Sequence, residues 1–310
     1  MPDIYIGIDL GGTNIRFIVY DKDNDLFTNY KKHKVTKFDK VEEEVNKNLV
    51  QPLREIVNEQ RKHGNCLRGI GLSVAAVFER DTGNIVEWSN NPKYKGFPMR
   101  KYLEDLFHVV VYLEDDANAA AFGELWKGAS KNSENFVYIT VGTGIGCGII
   151  INGKLLYGSH GWAGELGHIY VTDDKDCICS CKKEGCLQAV SSGTAIVKRY
   201  KKLSERENKS CELIRETREV VHLAEEGDET AVQILASAGN AIGKAIANIA
   251  VLLDVSLFVL GGGVIANGDI FTEYINKGIN QALQNKRKIE VKVAALNDMN
   301  GMMGVIKCMI

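Results

Sequence analysis

Charge of one sign is what this sequence most plainly lacks. Its 38 Lys and Arg stand against 40 Asp and Glu, for a formal net charge of −2 over 310 residues, and no basic run interrupts that balance. Neither feature is the footprint of a nucleic-acid binder. No uninterrupted apolar stretch approaches the roughly 20 residues that cross a bilayer. The start, M-P-D-I-Y-I-G-I-D, has no basic region ahead of a long apolar one, so no secretory leader is expected. Linkers, low-complexity tracts and long charge runs are missing as well. The 8 cysteines are not dispersed like a disulfide framework, since four fall between positions 177 and 186. That clustering fits a reducing compartment, and a cytoplasmic protein is expected.

That same stretch is the densest chemistry in the chain. G-S-H-G-W-A-G-E-L-G-H carries Glu165 and His168, and C-I-C-S-C-K-K-E-G-C-L-Q follows at 177–188. Cys179, Cys181 and Cys186 are spaced C-x-C-x4-C. With the His168 imidazole, three thiolates complete a tetrahedral Cys3His zinc site with no open position, the structural type. Cys177 is a rival ligand two residues upstream, and buried small hydrophobes are the plainer alternative for all four thiols. A metal there would hold the Glu165–His168 loop rigid.

Elsewhere the periodicities describe an α/β chain. Residues 4–9, 15–20 and 26–35 read as three strands with a glycine-rich first turn. Helical spacing follows over 40–62, with Pro52 able to kink or divide it. A strand at 68–76, a helix at 99–107 and a strand at 109–113 lead into E-D-D-A-N-A-A-A-F-G-E, an acidic turn that opens an alanine-rich helix. Asn118 and Glu124 on it are expected at the surface or between lobes. Then strand, glycine turn and strand recur: I-G-I-D-L-G-G-T-N-I-R-F-I-V-Y is matched by Y-I-T-V-G-T-G-I-G-C-G-I-I-I. Such duplication predicts two similar lobes, each offering backbone amides to a cleft. Helices near 187–203, 212–226, 229–253 and 270–284 follow, with strands at 256–260 and 289–294. A last helix from about 301 could return to the first lobe.

Three glycine turns each follow an apolar strand: Gly11–Gly12–Thr13, Gly142–Thr143–Gly144 and Gly261–Gly262–Gly263. Glycine lets successive amides approach phosphate oxygens, although tight turns use it for steric reasons too. None of the three fits a Walker P-loop or a dinucleotide fingerprint. Asp9, beside the first turn, suits a Mg2+ held mainly through water, or is simply a strand-end turn acid. Asp115 and Asp116 stand where a strand gives way to a helix, as a general base or metal ligand, or as helix caps. Asn90, Asp116, Glu165, His168 and Gln188 together suit a polyhydroxylated ligand.

These segments together resemble the ROK family of sugar kinases and repressors. The likeness rests on I-G-I-D-L-G-G-T-N, E-D-D-A-N-A-A-A-F-G-E, V-G-T-G-I-G-C-G, G-E-L-G-H, the cysteine block, G-G-G and N-G-M-M-G, and it runs through essentially the whole chain. It implies a two-lobed, ribonuclease-H-like (actin-like ATPase) α/β fold with ATP and sugar in an interlobe cleft. The expected lobes are 1–116, completed by a C-terminal helix at 300–310, and a larger 117–299 that holds the zinc. The implied chemistry is ATP- and Mg2+-dependent phosphorylation of a hexose at its primary hydroxyl, glucose leading. Hexosamine, allose, fructose or β-glucoside kinases are the alternatives. By the same resemblance Asp116 is the base. Asn90, Asp115, Glu165, His168 and Gln188 contact the sugar, and His168 also binds zinc. Gly11–Thr13 and Gly142–Gly144 cradle phosphate, and Gly261–Gly263 lie on the adenosine side. A homodimer or homotetramer is implied too.

The chain departs from the pattern in four places. Asp115 stands for the usual Asn, placing a second negative charge beside the base and disfavouring its ionised form. Lys182 replaces the first Gly of C-G-x-x-G-C, Gln188 a Glu, and Ala75–Ala76 a Pro-Gly pair. The repressors of this family read DNA through an N-terminal helix-turn-helix, and with a first strand at Ile4 none is expected here. An actin- or Hsp70-like ATPase would share the glycine turns without needing the cysteine block.

Overall fold

A computed structural model describes residues 1–88, 91–207, 211 and 213–310. It is a mixed α/β protein of two compact units: Met1–Lys131 joined by Asp298–Ile310, and Asn132–Asn297.

In the first unit, β1 (Asp3–Leu10) pairs antiparallel with β2 (Asn14–Asp21), which pairs with β3 (Leu26–Lys34). On its other side β1 runs parallel to β4 (Cys66–Val74), and β4 to β7 (Val110–Asp115). Between them come α1 (Val41–Val45), α2 (Gln51–Lys62), the short hairpin strands β5 (Val77–Phe78) and β6 (Ile85–Glu87), and α3 (Met99–Phe107). Alternation in I-Y-I-G-I-D sorts the faces of the sheet. Ile4, Ile6 and Ile8 are buried in one core with Ile70, Leu72, Leu53, Ile56 and Leu103. The helical pattern over 40–62 is divided ahead of Pro52, as its sequence warned. A π-type turn over Asn46–Val50 links α1 to α2, and Gln51 N–H reaches back five residues to the Asn46 carbonyl.

The opposite face of the sheet carries α4 (Asp116–Lys127) and α10 (Asn300–Lys307). Here glycine is required for approach rather than for conformation. A methyl at Gly304 would overlap the Ala119 carbonyl, and one at Gly71 would stand 2.7 Å from Val305. This contact moves the expected boundary. Helix α4 lies in the first unit, which extends to Lys131 instead of ending at 116, and the chain returns to it at Asp298. Asn118 and Glu124, expected at the surface or between lobes, are buried; Asn118 Nδ2 donates to Glu114 Oε1 at 3.3 Å and Glu124 Oε2 accepts from Ala129 N–H at 2.7 Å.

The second unit repeats the plan. Its sheet has the order β10-β9-β8-β11-β12, matching β3-β2-β1-β4-β7 in the first. The strands are β8 (Phe136–Val141), β9 (Ile145–Ile151), β10 (Lys154–Leu155), β11 (Leu257–Gly261) and β12 (Glu290–Val293). Helices α5 (Leu187–Ser191), α6 (Gly193–Arg206), α7 (Thr217–Glu225), α8 (Glu229–Leu253) and α9 (Asp269–Leu283) complete it. Of the described helices, α8 is long and apolar enough to cross a membrane by composition, and it is the central helix of this core.

Candidate active site and thiol–imidazole centre

The parallel strands of the first unit align three polar residues. Asp9 stands beside Ser73, and Ser73 beside Glu114, one step before the strand ends. Across the hairpin Asp9 faces Arg16, whose Nη1 lies 2.7 Å from Asp9 Oδ2, while Nη2 lies 3.0 Å from Asp298 Oδ2. Burial pushes the Asp9 carboxyl up to about 6. Arg16 pulls the other way, and the charges of Asp116 and Asp298 add to the rise. A carboxylate with one oxygen engaged by a guanidinium fits a cation through water better than by direct ligation. Arg16 was legible in principle, because a four-residue turn fixes which residue faces Asp9.

The Asp115–Asp116 pair divides its work. Asp115 is the N-cap of α4, its Oδ1 accepting from Ala117 N–H at 3.1 Å and Asn118 N–H at 3.4 Å. Asn and Asp are equivalent caps, so the departure from the family's Asn keeps that role. Burial raises the Asp115 carboxyl well above the usual range, and the Asp116 charge raises it further. Asp116 is the first residue of the helix proper. Behind the pair, Glu114 is fully buried and accepts from Arg80 Nη2 at 2.9 Å, Tyr112 Oη at 2.9 Å, Asp115 N–H at 3.0 Å and Asn118 Nδ2 at 3.3 Å. The sequence reading missed it. The one signal was an acid inside the apolar run V-V-Y-L-E-D, and nothing marked Arg80 in advance.

Asn90 lies outside the described residues. Its neighbour Asn91 is buried and accepts from Lys37 Nζ at 2.5 Å.

Two glycine turns of the second unit meet. Gly261 on β11 pairs with Thr140 on β8, Val264 N–H bonds the Val141 carbonyl at 3.0 Å, and Gly193 N–H at the start of α6 bonds Gly142 O at 2.7 Å. A Cβ at Gly142 or Gly263 would project into open space, whereas at Gly262 it would collide with the Val141 backbone. Packing therefore accounts for Gly262 but not for Gly142 or Gly263. Close approach of a ligand to the backbone would account for both. The turn at Gly11–Thr13 belongs to the other unit, where Gly11 N–H bonds Asn14 O at 3.1 Å and Thr13 O accepts from Val35 N–H at 2.8 Å.

The thiol block folds into one cluster. His168, Cys179, Cys181 and Cys186 offer ligand atoms that all lie within 4.8 Å of one another. Cys179 Sγ is 3.6 Å from His168 Nδ1, and Cys181 Sγ is 3.7 Å from Cys186 Sγ. A tetrahedron with zinc bonds of about 2.3 Å to sulfur and about 2.1 Å to nitrogen has edges of about 3.6–3.8 Å, so the donors fit that ion. Burial, with sharing of hydrogens among the neighbouring thiols, pushes Cys186 up to about 12. A cation is what would let all three sulfurs ionise together. The rival Cys177 turns instead to Asp174 Oδ2, at 3.6 Å. Glu165 Oε2 lies 3.8 Å from His168 Nε2, the imidazole nitrogen away from the thiols. Lys182, where the family has Gly, takes the left-handed conformation at φ 67°.

The family model described as "ROK family" matches residues 5–309. The chain belongs to the ROK family. A glucokinase of Halalkalibacterium halodurans is 33% identical over 88% of this chain and 84% of its own length. The ROK hexokinase from Thermus thermophilus superposes with a TM-score of 0.82 at 30% identity, covering 97% of this chain and 96% of that one. A ROK family glucokinase from Streptomyces griseus, solved in complex with glucose and AMPPNP, gives 0.80 at 27% identity over 98% of each chain. ROK relatives of the other kind match as well: the xylose repressor of Caldicellulosiruptor bescii is 28% identical over 98% of this chain and 77% of its own length. The expected actin-like, two-lobed α/β fold is the fold of this ROK protein.

Proposed function

We propose that this ROK protein is a cytoplasmic, ATP- and Mg2+-dependent sugar kinase that phosphorylates the primary C6 hydroxyl of a hexose, glucose first. The glucokinase relative and the ROK glucokinase solved with glucose and AMPPNP support the class. The observation that carries the reading to residues is the start of α4. Asp115 caps the helix, so the helix does not depend on the carboxylate of Asp116.

Asp116 accepts the proton of the sugar hydroxyl as its oxygen bonds to the γ-phosphorus. The bond from that phosphorus to the bridging oxygen breaks, and ADP leaves with the electron pair. Such a transfer asks for positioning and charge neutralisation more than covalent chemistry. Within the Gly11–Thr13 and Gly142–Gly144 turns, whose Gly11 and Gly142 N–H groups close the turns themselves, the amides of Gly12, Thr13, Thr143 and Gly144 supply donors to phosphate oxygens, and the Gly261–Gly263 turn receives the adenosine side. Asp9 would hold Mg2+ through water, and the cation's chemistry is to neutralise charge on the phosphates. Asn90, Asp115, Glu165, His168 and Gln188 orient the sugar hydroxyls. His168 would also hold zinc with Cys179, Cys181 and Cys186, a structural ion that braces the loop carrying Glu165.

Coupled ADP release, measured across hexoses, hexosamines and glucosides, tests the reading. One sugar with saturable turnover, lost in Asp116→Asn, is the expected result. Nucleotide hydrolysis indifferent to every sugar would overturn it. The match to xylose repressors motivates a second reading as a sugar-responsive regulator. Sequence-selective binding of genomic fragments in a gel shift, with no phosphotransfer, would favour that one.

A further inference from the structure

Gln188 sits on α5 two residues after the last cysteine of the block, Cys186, and its amide reaches two other segments. Oε1 accepts the N–H of Ile145, the residue that follows the Gly142–Gly144 turn, at 3.0 Å. Nε2 donates to Ser180 Oγ at 3.1 Å and lies 3.9 Å from Cys179 Sγ. The surroundings are fitted to this side chain. A Cβ at Gly144 would stand 2.7 Å from Gln188 Oε1, and one at Gly167, in the short turn carrying His168, 3.3 Å from it. The glycine turn, the histidine turn and the thiol loop thus converge on a single amide.

We infer that Gln188 is a positioning residue that couples occupancy of the thiol–imidazole centre to the order of the 142–145 turn. Cation binding fixes Cys179 and the adjacent Ser180, which fixes the Gln188 amide, which holds the Ile145 N–H. An amide suits both ends, since its oxygen accepts from backbone while its NH2 donates to a hydroxyl or thiolate. A carboxylate would accept from Ile145 equally well but would set a negative charge against three thiolates. The inference rests on the zinc reading and is independent of phosphotransfer.

The test uses the full-length protein without sugar or nucleotide. Zinc is counted by elemental analysis, and deuterium exchange is followed over residues 140–147 in the as-purified, chelated and zinc-restored protein. Stripping the metal is expected to speed exchange of the Ile145 amide about tenfold, as the loss of one hydrogen bond implies, and zinc to restore its protection. Gln188→Met should show the same acceleration with zinc still bound. Gln188→Glu should keep Ile145 protected yet release zinc about 10–100-fold more readily to a chelator. Ile145 exchange unmoved by metal removal, or a protein that neither carries nor takes up zinc, would overturn the inference. Should Gln188→Met not fold, the chelation arm alone decides. An inactive protein can pass this test and an active kinase can fail it, so the two readings stand or fall separately.

Discussion

The two units share a strand order but fix their candidate site residues by different means. In the first, Asp116 opens a helix held by glycine-mediated contact with α10, capped by Asp115 and backed by the buried Glu114. What holds it is close packing, hydrogen bonding and the Arg80–Glu114 ion pair. In the second, Glu165 and His168 lie in a loop with little regular structure, gathered by sulfur, imidazole and one amide. A helix start can be aimed by packing alone. This loop is tied by turn and single-bridge backbone hydrogen bonds rather than by a sheet or a long helix, and cross-linking by a metal would add the rigidity that regular structure supplies elsewhere. One unit should therefore respond to volume and the other to chelators.

The sharpest division is expected from Asp116→Asn. Turnover should fall about a thousandfold, the range for loss of a general base, while zinc content and sugar affinity stay near wild type. Steady-state kinetics beside elemental analysis would show it, and retained turnover would remove Asp116 as base. Next comes Cys181→Ser, which should weaken zinc binding by more than about a hundredfold. Exchange protection should drop across 132–297 with the first unit unaffected. Equal loosening of both units would break the comparison.

Gly304→Val does the converse. Its side chain has no room against the Ala119 carbonyl, and a cost of about 3 kcal/mol is expected from overpacking. Denaturant melts should show it in the first unit, with zinc retained. Asp9→Asn concerns pH. A carboxyl at about 6 in the folded state, against about 4 unfolded, holds its proton more tightly when folded. Its contribution is full below about pH 4 and lost as pH rises through about 6. The variant, without nucleotide, should gain about 1–3 kcal/mol over wild type at pH 8 and almost nothing at pH 4. A gain independent of pH would contradict this. Smallest is Lys182→Gly, which relieves a left-handed backbone and should add up to about 1 kcal/mol to the second unit.

Legibility in the sequence followed the range of the interaction. The strands, the duplicated glycine turns and the thiol spacing are local patterns, and the helix division at Pro52 follows from one missing N–H. The thiols that gather around His168 are the three of the C-x-C-x4-C spacing, and the structure sets Cys177 apart by giving it Asp174. Whether Asp115 or Asp116 capped the helix needed only one dihedral angle more than the sequence supplies. What stayed hidden was long-range. The first unit's extent depends on backbone approach between α4 and α10, which Gly123 and Gly304 permit but do not announce. Arg80 meets Glu114 at a sequence separation of 34, and Gln188 meets Ile145 at a separation of 43.

The split of the first unit also orders events during synthesis. Residues 132–297 contain all the strands and helices of their own core, so that unit can close while translation is still under way. The first unit has its sheet much earlier but lacks α10, which covers the Gly7 and Gly71 side of it, until residues 298–310 leave the ribosome. In the nascent polypeptide only α4 stands on that side, the strip over Gly7 and Gly71 is uncovered, and a chaperone that shields apolar strands would find it there before α10 arrives.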